Sequence, residues 1–98
     1  MIGTVTTSAR CADGTELQLA TDDGPRSLRV PAIADAGAAI RVERTLRRCL
    51  SLRVDRTIDG WSWVVRGVGH RRPIDLRIST STALGLIERG LPTVVSVP

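Results

Sequence analysis

The chain has no lysine, no phenylalanine and no tyrosine, and its 98 residues carry only two tryptophans, two cysteines and one histidine. So few rings leave no material for a ladder of exposed aromatics on which bases stack, and the core has to be aliphatic. Valine, leucine and isoleucine supply 27 side chains for it. Cys11 and Cys49 are too few for a disulfide scaffold and lack the CxxC spacing of zinc or redox sites. Both read as reduced thiols, with a single bridge as the alternative. One histidine and two distant cysteines also fall short of the four ligands of a structural zinc site, so neither a metal nor a cofactor is expected. No stretch approaches the roughly 18 apolar residues of a membrane span, and Met1 to Ser8 lacks the basic-then-apolar layout of a secretory signal. The expectation is a cytoplasmic protein that does not engage a membrane.

What the chain does have is arginine. All fourteen basic residues are Arg, against ten acids. Residues 1–40 hold three Arg and five acids, whereas residues 41–98 hold eleven Arg and five acids. Such asymmetry can mark a face for anionic partners, although a lysine-free, Ala- and Gly-rich chain can also reflect composition alone.

The pattern centres on Leu50–Ile78. Leu50, Leu52 and Val54 alternate with Ser51, Arg53 and Asp55, which puts the apolar set on one face of a strand. Trp61 and Trp63 share a face of the next run, and Ile74–Ile78 forms a third. Asp59-Gly60 between the first two is a hairpin signal. Upstream, Ile2–Ser8, Leu17–Ala20 and Ser27–Val30 read as a meander with turns at Asp13-Gly14 and Asp22–Pro25. From Ala32 to about Leu50 the spacing of Ala39, Val42, Leu46 and Cys49 predicts a helix, with a strand through Ile40 and Val42 as the competing reading. A second helix follows Ser79–Thr82 and stops at Gly90, and Thr93–Val97 is a last strand. The sum is an α+β class protein: a small single domain, mainly antiparallel sheet of six to seven short strands, with two helices and a C-terminal strand-helix-strand unit. That unit predicts parallel strands at Ile74–Ile78 and Thr93–Val97.

Four groups of residues are candidates for function. Arg41, Arg44, Arg47 and Arg48, extended by Arg53 and Arg56, would form a basic stripe for nucleic-acid phosphates. Ser79, Thr80, Ser81 and Thr82 at a helix start, with Arg71 and Arg72 upstream, would form an anion site, against which stands plain helix capping. His70 with Asp75 and Ser79 or Ser81 is a weak acid–base set, since some Ser and Asp lie near any His, and no catalytic residue is assigned. Trp61, Trp63 and Val65 would be core if a helix covers them, or a partner surface if it does not. The apolar last strand would be open to edge pairing with another chain. The leading expectation is a non-enzymatic interaction module that self-associates or docks on a protein partner. Nucleic-acid binding through the arginines stands second, and a small phosphorylated ligand at Ser79–Thr82 third.

Overall fold

Two antiparallel meanders make up most of the protein. In this computed structural model, which describes residues 1–32, 46–57 and 60–97, the first meander comprises β1 (Ile2–Cys11), β2 (Gly14–Thr21) and β3 (Gly24–Pro31). The second comprises β4 (Arg48–Thr57), β5 (Gly60–Val68) and β6 (Pro73–Ile78). Turn chemistry sets the hairpins. Cys11 pairs with Gly14, and Thr21 with Gly24, which takes φ +102° after the Asp22-Asp23 turn. Helix α1 (Thr80–Glu88) leaves β6, and the four-residue β7 (Thr93–Ser96) follows it.

Strand β7 joins the meanders. The order across the single seven-stranded sheet is β3-β2-β1-β7-β4-β5-β6. β7 runs antiparallel to β1 and parallel to β4, with Val95 opposite Gly3 on one side and Val54 on the other. One face is mainly apolar: Leu17, Leu19, Leu28, Val30, Leu52, Val54, Trp63, Val65, Ile78 and Val95 are buried with Ala83 and Ile87 of α1. The other face carries Glu16, Gln18, Arg29, Arg53, Asp55, Arg66 and Arg77, the one-sided alternation expected of an antiparallel sheet.

The α+β expectation with two helices is corrected to a nearly all-β protein with one short helix among the described residues. Residues 33–45 of the predicted first helix lie outside the described residues, but Arg48–Leu50 belong to β4. The cause of the misreading is a bulge between Cys49 and Ser51. The extra residue places apolar Cys49 and Leu50 side by side, breaking the period of two and imitating a helical stripe. β6 and β7 do run in the same direction, yet they are not neighbours, because β4 and β5 lie between them. The expected open edge at the last strand is also corrected: β7 is paired on both sides. The sheet's edges are β3, which carries Pro25 and Pro31, and β6, which begins at Pro73. Proline is a common device against edge pairing.

Trp63 explains how the helix is seated. Its side chain is 1% exposed, and its indole Nε1–H donates to Thr80 Oγ1 at 2.9 Å in the first turn of α1. Burying an indole requires a partner for that N–H, and Thr80 supplies it where the chain turns from strand to helix. Ser79 caps the same turn by accepting from the Thr82 N–H at 3.3 Å. At the far end Gly90, at φ +89°, donates to the Ile87 carbonyl at 2.9 Å, and Leu91 donates to Leu86 at 3.1 Å. Those two bonds form a Schellman stop. Thr80→Val removes the acceptor while keeping the shape. It is expected to destabilise the fold by about 1–3 kcal/mol, read as a lower denaturant midpoint with an unchanged m-value; an unshifted midpoint would contradict this account of the junction.

Candidate anion-binding surface

Strand directions sort the loops onto two ends of the sheet. The β1–β2 turn, the end of β3, the start of β4, the β5–β6 loop and the start of β7 share one end. The β2–β3 turn with Asp22 and Asp23 lies at the other. The first end collects Arg47 and Arg48 where β4 begins, His70, Arg71 and Arg72 in the loop before β6, and Arg89 after α1. All six side chains are exposed.

Local structure fixes each of them. Leu46 is buried against Gly67, where an added Cβ would run into the Arg48 carbonyl and the Leu46 side chain. That close approach, together with the Arg47 N–H donating to the Val68 carbonyl at 2.8 Å, holds Arg47 and Arg48 against the end of β5. The Gly69 N–H donates to the Arg72 carbonyl at 3.0 Å and closes the loop so that residues 70–72 project outward. Arg47 Nη2 donates to His70 Nδ1 at 3.1 Å. A guanidinium has no acceptor, so as a hydrogen bond this contact uses the Nδ1 lone pair of the imidazole. Arg48 and Arg89 line a cleft of about 490 Å³ that includes Leu50, Leu86, Leu91 and Pro92.

Two carboxylates near this end, among the described residues, are engaged elsewhere. Glu88 takes both Nε and Nη2 of Arg10, at 2.6 and 3.0 Å, and Asp13 takes Arg29 at 3.3 Å. On the outer sheet face Arg53 meets Asp55 at 3.6 Å and Arg66 meets Asp75 at 2.9 Å. Among the described residues no carboxylate lies within ion-pair distance of Arg47, Arg48, Arg71, Arg72 or Arg89.

The arginine stripe read from the sequence therefore divides. Arg41 and Arg44 lie outside the described residues. Arg47 and Arg48 stand at the basic end. Arg53 is on the outer face, and Arg56 on the inner face, 5.5 Å from the centroid of the Trp61 ring. Ser79 is the helix cap, its hydroxyl 2.9 Å from that of Thr82 and 3.2 Å from that of Ser81, while Thr80 serves Trp63. Arg71 and Arg72 are at the opposite end of β6 from these hydroxyls, so the two halves of that anion site do not meet. His70 is separated from Ser79 and Ser81 in the same way, and Asp75 is held by Arg66. The partner surface at Trp61, Trp63 and Val65 is corrected: the helix covers their face. Trp63 and Val65 are core, and Trp61 is half-buried, with its ring centroid 6.1 Å from that of Trp63. Arg89 was absent from every sequence-based candidate set. Its signal was its place just before Gly90, at the turn that returns the chain to the end where β4 begins.

No protein-family model, no curated protein and no solved structure matches this chain. Among the described residues no helix is long and apolar enough to cross a membrane.

The ion pairs carry a pH dependence. Hydrogen bonding to Arg10 holds the Glu88 carboxyl below its ordinary 4.5, with charge adding to it and partial desolvation opposing. Hydrogen bonding to Arg66 likewise holds Asp75 below 3.8. Carboxyls lowered in the folded state contribute stability that is complete above their ordinary values and lost as pH falls through the folded ones. An Arg10→Gln, Arg66→Gln double variant should be slightly less stable than the parent at neutral pH. Denaturation across a pH series should show the gap closing in acid, below those ordinary values; a gap that persists unchanged would mean the pairs contribute nothing through ionisation.

Proposed function

We propose that the protein is a non-enzymatic binding module for nucleic acid, contacting the phosphate backbone through Arg47, Arg48, Arg71, Arg72 and Arg89. The observation that supports this reading most is the distribution of acids. Five exposed guanidinium groups share one end of the sheet, and no carboxylate there pairs with them among the described residues. Guanidinium forks match phosphate oxygens in pairs. Ligand phosphates would relieve the mutual repulsion of these five charges, which no carboxylate among the described residues offsets by an ion pair. The absence of exposed aromatic ladders favours backbone contact over stacking as the main source of affinity. This reading displaces docking through the tryptophan strand, since Trp63 and Val65 are inside.

Binding should weaken steeply with salt. If five phosphates are neutralised, log K should fall against log salt with a slope of about −3.5 to −4.5. Arg71→Glu with Arg72→Glu changes only an exposed loop, so the fold should be kept while affinity drops by roughly tenfold or more and the slope becomes shallower. Fluorescence anisotropy with a labelled oligonucleotide reads both quantities, and affinity in this double variant equal to that of the parent would reject the proposal.

A further inference from the structure

The cleft between β4 and the end of α1 has a feature that a purely electrostatic surface does not need. Strand β4 extends from Arg48, but β7 pairs with it only from Leu52 onward. The first residues of β4 therefore line an opening whose other wall is the helix end and the Gly90–Pro92 connection. Its lining is mixed, with an apolar part: Leu50, at the bulge and 39% exposed, lines the same space as Leu86, Leu91 and Pro92. Arg48 and Arg89 are the charged residues lining it. The Schellman closure occupies the Leu86 and Ile87 carbonyls with the Leu91 and Gly90 N–H groups. Two of the carbonyl oxygens that would repel an anion at a helix C-terminus are thereby already hydrogen-bonded. The cleft's volume, about 490 Å³, is within the usual range for small-molecule sites, roughly 300–1,000 Å³.

Resting on the nucleic-acid reading above, we infer that this cleft seats one unstacked nucleotide of a single strand, with the base against Leu50, Leu86 and Leu91 and the flanking phosphates on Arg48 and Arg89. Charge complementarity favours a phosphate-bearing occupant, and the apolar wall favours one that can present a base face. A duplex keeps its base faces stacked inside and offers this wall nothing. It would meet the arginines alone.

The test compares an oligothymidine of about 12 nucleotides with a duplex of equal phosphate count, by anisotropy at fixed low salt. The parent protein is expected to bind the single strand at least about fivefold more tightly than the duplex, from burial of part of one base face against leucine side chains. Leu50→Ala should remove most of that preference and leave duplex binding unchanged. Leu50→Phe, which adds a ring at an exposed position, should increase it. Tryptophan fluorescence of the buried Trp63 confirms that each variant is folded. Equal affinity of the parent for single strand and duplex overturns this inference and leaves the backbone-binding proposal standing. So does displacement of the single strand by polyglutamate of matched charge as readily as by unlabelled oligothymidine. No binding of either nucleic acid at low salt overturns both.

Discussion

Four residues of backbone hold this sheet together. Without β7 the two meanders share no strand pairing, because β1 and β4 are each paired with it and not with each other. The inward side chains of β7, Thr93 and Val95, are 1% and 0% exposed, so the strand is both seam and core. Its position depends in turn on α1, which carries the chain from the outer strand β6 past β5 and β4 to the centre. The Trp63–Thr80 hydrogen bond fixes where that crossover starts, and the Gly90 stop fixes where it ends. The Met1 amino group donates to the Val97 carbonyl at 2.6 Å, and the Val97 N–H donates back to Met1 at 2.8 Å. The first and last described residues therefore close the seam, a pairing across 96 positions of sequence. Topologies dominated by such contacts close their loops before any reward arrives and fold slowly.

The same seam organises the charges. A central strand that starts at the helix-end side leaves the beginnings of β4, the β5–β6 loop and Arg89 at one end of the sheet. Arginines far apart in sequence, from Arg47 to Arg89, are gathered there by strand direction alone. The acids nearest that end are drawn off laterally, Glu88 to Arg10 and Asp13 to Arg29. Exposed ion pairs of this kind contribute little to stability. Their effect on the surface is larger, because each one removes a carboxylate that could have neutralised the basic end.

Local chemistry was legible in the sequence, and long-range pairing was not. The Asp13-Gly14 and Asp22–Pro25 turns and the stop at Gly90 depend on residues within a few positions of one another. Glycine at positive φ and acidic turn residues signal them directly. The place of β7 depends on partners more than forty residues away, and Thr93–Val97 reads as apolar whether it lies at an edge or in the centre. The bulge at Leu50 was hidden for a related reason. A period of two that slips by one residue resembles a period of 3.6 over a short window, and only the register against β5 separates them. The burial of Trp63 followed from which face the helix covers, which strand alternation leaves undetermined. For the basic end, the sequence displayed the excess of arginine but not its partition. Arg53, Arg56 and Arg66 are as prominent in sequence as Arg71 and Arg72, yet their side chains are engaged by Asp55, Trp61 and Asp75.

That partition separates composition from placement. A lysine-free chain uses arginine wherever it needs a cation, so the guanidinium at any one position says nothing by itself about a ligand. Composition does not decide which arginines receive a carboxylate. Uncompensated like charges at one end weaken the folded state through self-repulsion, and a single Asp or Glu in the Gly69–Arg72 loop would relieve it. The loop instead carries two arginines and a histidine whose Nδ1 is already used by a third. Among the described residues, then, the arginines of this end differ from Arg53 and Arg66 of the outer face in having no carboxylate within ion-pair distance.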